Sequence, residues 1–150
     1  MSAIGNITVF DGASTPVSHT LAPISVTREK GVVEALWREQ VASLPVNAQV
    51  RVTARLEKLK SGVSKAEYRV VVPVMESIGS QNAAGYTAPP KVAYENTLVI
   101  TGYFHERSDI NGRRLAKQIA CNLLNNVSTS VVAATSGPMP ELIDLLVSPT

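Results

Sequence analysis

Between Arg51 and Arg69 the chain carries six basic residues (Arg51, Arg55, Lys58, Lys60, Lys65, Arg69) and two acids (Glu57, Glu67). That is a local charge of +4 in a protein whose formal net charge is +2. Lysine and arginine at this density have the chemistry of phosphate neutralisation. They lie in two alternating runs. In the first, Val50, Val52, Ala54 and Leu56 alternate with Gln49, Arg51, Thr53, Arg55 and Glu57. In the second, Ala66, Tyr68, Val70, Val72 and Val74 alternate with Glu67, Arg69 and Val71. Period-two alternation predicts strands with one buried and one wet face, joined here by a turn at Ser61-Gly62. A cationic sheet face on a nearly balanced protein points to a polyanionic partner. A solvated sheet whose polar face is simply basic explains the charge equally well.

Catalytic and metal chemistry find no support. Lys60-Ser-Gly-Val-Ser-Lys65 lacks the spacing of a phosphate-binding loop. His19 and His105 have no helical partner at metal-ligand spacing and read as surface or turn histidines. Cys121 is the sole cysteine, which excludes internal disulfides and cysteine zinc sites, and it reads as a small core residue. Glu34 and Glu39 have no basic or nucleophilic set around them that makes a site. The expectation is no enzyme, no cofactor and no metal.

Positioning these residues requires a domain. The 150 residues predict one, large enough for a real core. Charged residues are 17% of the chain, below the usual share of about 25%, so the surface must be rich in small and neutral groups. Such a surface suits contact with copies of itself. The first ten residues have no basic residue and no long apolar run, so no signal peptide is expected, and nothing has the length of a membrane span. The sequons at Asn6 and Asn126 would then be idle.

Residues 7–11 and 17–21 read as a hairpin around Gly12-Ala-Ser-Thr-Pro16. Residues 28–41 are ambiguous, because Val32, Val33, Leu36 and Trp37 have the spacing of an amphipathic helix. The basic hairpin follows, then a long loop over 76–90 with Gly79, Gly85, Pro89 and Pro90. Val92–Phe104 is a third long strand, with Tyr94, Asn96, Leu98 and Ile100 on one face. Ser108-Asp109 caps a helix with an apolar row at Leu115, Ile119 and Leu123; Arg113, Arg114 and Lys117 face away from it. Asn125-Asn126 ends it. A second helix is expected over Ser128–Thr135 and a third over Pro140–Val147. Strands first and helices afterwards imply an antiparallel sheet with helices on one face.

The whole sequence resembles the coat proteins of single-stranded RNA bacteriophages, the levivirus type. The resemblance rests on short pieces in order: Phe10-Asp11-Gly12, Ala22-Pro23, Gly31-Val32, the hairpin ending in Val-Val-Pro73, Tyr94 with Asn96, Phe104 before Ser108-Asp109, and Ser130-Val-Val-Ala-Ala-Thr-Ser-Gly137. It implies an α+β fold: an N-terminal β-hairpin, a five-stranded antiparallel sheet and two C-terminal helices. Two subunits would interlock their helices over each other's sheets in an obligate dimer, and dimers would tile an icosahedral shell around the genomic RNA. The resemblance favours strands over residues 28–41, and it places the protein in the virion, assembled in the bacterial host cytoplasm.

The family's sheet also binds an RNA hairpin at the replicase start, repressing translation. Its RNA-facing positions carry over to Gln49, Arg51, Thr53 and Arg55, to Lys65, Glu67, Arg69 and Val71, and to Tyr94 and Asn96, with Val32 lining a base pocket. Lys65 and Arg69 suit phosphate, Tyr94 a stacked base and Asn96 a base edge or ribose. Glu67 puts an acid where the family commonly has threonine, Val71 is apolar where an acid is found, and Arg51 replaces a small hydroxyl residue, so a different hairpin is implied. Residues 138–150 match nothing in the family pattern. Their cluster of Leu142, Ile143, Leu145 and Leu146 either folds back on its own subunit or clasps a neighbouring dimer. The competing reading is a cellular RNA-binding module that uses a basic sheet and forms no shell.

Overall fold

The computed structural model describes residues 3–76, 85 and 91–150. Six strands form one antiparallel meander in chain order: β1 (Ile7–Phe10), β2 (Ser18–Glu29), β3 (Val32–Glu39), β4 (Arg51–Lys58), β5 (Ser64–Met75) and β6 (Val92–Phe104). The expected hairpin and five-stranded sheet are thus one six-stranded sheet, because β2 runs on unbroken from the hairpin into its pairing with β3. Residues 32–39 are strand, not helix. The apolar spacing that suggested a helix arises because Ala35 and Trp37 point into the core while Val32, Glu34 and Leu36 face the other way. The β4–β5 turn falls where Ser61-Gly62 placed it. Gly62 has φ +82°, a backbone conformation few other residues adopt, and its N–H bonds Leu59 O at 3.0 Å. The loop expected over 76–90 lies outside the described residues except for Glu76 and Gly85.

Two helices follow, α1 (Ile110–Leu124) and α2 (Pro138–Asp144). Asp109 caps α1, accepting from Gly112 N at 3.0 Å, and Asn126 at φ 50° leads the chain out. The helix expected over Ser128–Thr135 does not form. Its carbonyls are engaged from the side instead: Gln118 Nε2 donates to Val131 O at 3.3 Å and Lys117 Nζ to Ala134 O at 2.9 Å. Serine, threonine and valine in this stretch are also weak helix formers. Helix α2 begins after Gly137 with Pro138 in its first turn.

The core lies between one face of the sheet and α2. Leu21, Ala35, Trp37, Val52, Ala54 and Ala66 meet Leu142, with Met139, Val70 and Phe104 at its margin. Trp37 is fully buried and donates Nε1–H to Gly5 O at 2.9 Å. Of the two placements open for residues 138–150, the chain folds back on its own subunit, and Ile4 N–H donates to Thr150 O at 2.7 Å. Arg113 and Arg114 project from α1 toward α2: Arg113 donates to Asp144 O from Nε and Nη2, and Arg114 Nε reaches Asp144 Oδ2 at 2.9 Å.

Candidate nucleic-acid interface and self-association surface

Strand pairing sorts the side chains of the sheet into two faces. Val52, Ala54 and Leu56 pair with Val70, Tyr68 and Ala66, all toward α2. Arg51, Thr53, Arg55 and Glu57 pair with Val71, Arg69, Glu67 and Lys65, all toward the opposite, open face. Arg51, Thr53, Arg55, Lys65, Glu67, Arg69 and Val71 therefore share one surface, as the alternation predicted. Val32 joins them through its pairing with Glu57, and it lines a hollow of about 330 Å³ with Thr27, Glu29, Lys30, Glu34 and Arg55. A neighbouring hollow of about 140 Å³ is lined by Glu34, Thr53, Arg55, Glu67 and Arg69.

Three expected residues are elsewhere. Tyr94 and Asn96 pair with Val74 and Val72, which point to the helix face, so both stand on the side of the sheet away from Lys65 and Arg69. The period of a strand is two, and a register different by one residue exchanges every side chain between faces. In their place β6 presents Glu95, Thr97, Val99, Thr101 and Tyr103 to the open face. Tyr103 pairs with Lys65 and is 63% exposed, making it an aromatic of the open face that sequence reasoning missed. The only signal for it is the β5–β6 register. Gln49 is buried, and its Nε2 donates to Val41 O and Leu44 O, so it pins the loop before β4 rather than facing a ligand.

The open face is far less cationic than the hairpin alone. Among its paired strand residues Arg38, Arg51, Arg55, Lys65 and Arg69 are matched by Glu29, Glu34, Glu57, Glu67 and Glu95, and Lys30 at the β2–β3 turn adds a single positive charge. Lys58 and Lys60 are at the turn end of the hairpin. Arg51 bonds Glu95 across the sheet, Arg55 Nη2 reaches Glu57 at 3.1 Å, and Lys65 and Arg69 both reach Glu67. The Lys65 hydrogen bond is the main reason Glu67 is held below its ordinary carboxylate value, and the same contact raises Lys65. Of the hairpin's +4, Lys58 and Lys60 lie off this face, and the remaining +2, together with Arg38 of β3, is balanced by Glu29, Glu34 and Glu95 from β2, β3 and β6.

The helix face carries a different feature. None of the residues of α1 is buried: Leu115, Ile119, Leu123 and Leu124 are 51–77% exposed, while its polar side grips its own subunit. Cys121, expected in a core, is half-buried. Beside α2 an apolar cavity of about 430 Å³ is lined by residues that include Val9, Phe10, Leu21, Val50, Val70 and Val72. Tyr94 and Leu98 on β6 are also exposed on this face. Among the described residues no helix has the length and apolarity to cross a membrane, and no three metal-ligating side chains come together. His19 bonds Glu39 at 2.9 Å.

A meander sheet with one helix packed on it and a second helix presenting its apolar row outward defines a subunit built for association with other chains. The levivirus coat protein family model matches residues 2–138, and the chain belongs to that family. It is a structural protein of a phage capsid. The virus-like particle of bacteriophage EMS014 matches with 29% identity, 99% coverage of each chain and a TM-score of 0.72. That of bacteriophage ESE058 matches at 17% identity, covering 97% and 98% of the two chains, with a TM-score of 0.70. The bacteriophage GA protein capsid follows at 18% identity, 95% coverage of each and 0.57. No curated protein matches the chain. The family model stops at the first residue of α2, whereas the EMS014 match spans the extension, so residues 138–150 have a counterpart in that phage.

Proposed function

We propose that the 150 residues form one coat-protein domain that pairs as an obligate dimer and closes, with other dimers, into an icosahedral shell around the phage RNA in the host cytoplasm. The carrying observation is the outward apolar row of α1. Leu115, Ile119, Leu123 and Leu124 are each more than half exposed, a contiguous apolar surface of the kind that an obligate interface buries. The row would pack into the apolar cavity beside α2 on a partner, and β6, a thirteen-residue strand at the sheet edge, has a side unpaired among the described residues that another copy could extend. EMS014, the relative of highest identity reported above, has been described as a virus-like particle, which supports closure into shells. Purified protein should scatter light as closed particles, with nucleic-acid absorbance. Leu115→Asp with Leu123→Asp should abolish both. A monodisperse wild-type monomer at ordinary salt refutes the reading.

RNA contact falls to the open face, through Arg51, Arg55, Lys65 and Arg69 for phosphate and Tyr103 for a base. Val32, Thr53 and Val71 line the same surface. Recognition of a replicase-start hairpin, and translational repression through it, belongs to this face as well. Tyr94 and Asn96 stand on the helix face beside the exposed Leu98, which favours a place for them in the dimer interface.

A further inference from the structure

One carboxylate on the open face serves two cations. Lys65 Nζ lies 3.0 Å from one oxygen of Glu67 and Arg69 Nη2 lies 3.3 Å from the other. The Glu67 side chain is 12% exposed, beneath Lys65 at 23% and Arg69 at 51%. A carboxylate with both oxygens engaged by cations occupies the position, and has the charge sign, of a bound phosphate. The neighbouring Arg55 offers it little alternative, because Arg55 is held by Glu57 at 3.1 Å. An RNA phosphate that takes full hold of Lys65 or Arg69 has to compete with Glu67.

We propose that Glu67 is a built-in competitor for RNA phosphate that sets the selectivity of the open face. RNA offering only phosphates gains little over the internal pair, whereas RNA that adds base contacts displaces it. The inference rests on the open face being the RNA-contacting surface. It assigns Glu67 a role opposite to direct contact: removing its charge strengthens binding of non-cognate RNA.

The test is fluorescence anisotropy of a short labelled oligouridine against dimers dissociated from particles and freed of packaged RNA, titrated between about 50 and about 200 mM salt. Glu67→Gln frees two cations, so its slope of log affinity against log salt should steepen by about 1.4, at about 0.7 per contact to single strands. Affinity at the lowest salt should rise about tenfold or more. Glu57→Gln removes the same charge from the same face but frees only Arg55, so it should steepen the slope by about half as much. Equal effects of the two variants would reduce the result to general charge and overturn the role of Glu67. So would an unchanged Glu67→Gln slope, if Lys65→Ala with Arg69→Ala still lost binding. If that double variant bound like wild type, the open face itself would not be the RNA surface. Glu67→Thr should repeat the Glu67→Gln result, separating it from any folding defect of one variant.

Discussion

Replacing Asp144 by asparagine tests whether the C-terminal extension is held by charge. Asp144 is fully buried at the end of α2, with Arg114 Nε 2.9 Å from Oδ2 and Lys117 Nζ 2.8 Å from Oδ1. Burial alone would raise its carboxyl, but Lys117 and Arg114 outweigh that and hold it below the ordinary 3.8. Asparagine keeps the shape and leaves intact the Arg113 bonds to the Asp144 carbonyl. What it removes is the counter-charge of Lys117, which is only 10% exposed, and of Arg114, which at 30% can turn toward water. Removing one partner of a buried pair costs about 3–5 kcal/mol, and partial escape of Arg114 puts this case near about 3 kcal/mol. With a urea m-value of about 1–3 kcal/mol/M, the midpoint should fall by about 1–3 M. The sign with pH follows from the depressed folded value. The stabilisation is fully present above pH 3.8 and is lost as pH falls through the lower folded value. Wild type and Asp144→Asn should therefore converge in strong acid. Urea unfolding followed by circular dichroism, at fixed protein concentration because association contributes, reads both effects. A loss below about 1 kcal/mol at neutral pH would show the cluster to be no better than neutral packing.

Trp37→Phe should destabilise by about 1–3 kcal/mol in the same assay, because it shrinks a fully buried side chain and removes the Nε1–H bond to Gly5 O. Gly102→Ala places a Cβ 2.6 Å from the Phe104 ring, which is packed against the core and cannot swing freely. A cost of about 1–3 kcal/mol is expected, and Gly102→Ala combined with Phe104→Leu should cost less than the sum of the two changes.

Much of the fold is written locally. The alternation in β4 and β5, the Gly62 turn and the Asp109 cap each depend on residues within one or two turns of chain, and all appear where the pattern put them. The helix expected over Ser128–Thr135 failed for a non-local reason, since Lys117 and Gln118 of α1 bind that segment's carbonyls in extended form. Likewise Val32, Val33, Leu36 and Trp37 fit a helix until β2 and β4 claim residues 32–39 from both sides.

The alternation made the open face of β4 and β5 legible but not its charge or the faces of Tyr94 and Asn96, and the reason is the sheet itself. A hairpin of +4 counts only neighbours in sequence, whereas a polyanion meets neighbours in space. Glu34 faces Arg55 from β3, and Glu95 reaches Arg51 from β6, forty-four residues along the chain. Register decides this as it decides the faces of Tyr94 and Tyr103, because each pairing brings a distant residue onto one side or the other. The apolar row of α1 was legible in the helical spacing of Leu115, Ile119 and Leu123. Helix α2 spends Leu142 on the core and leaves Leu115, Ile119 and Leu123 exposed. The two faces thus pose different demands. On the proposed reading the helix face uses another copy to remove apolar surface from water, while the open face, its cations largely paired, would select among polyanions rather than attract them all.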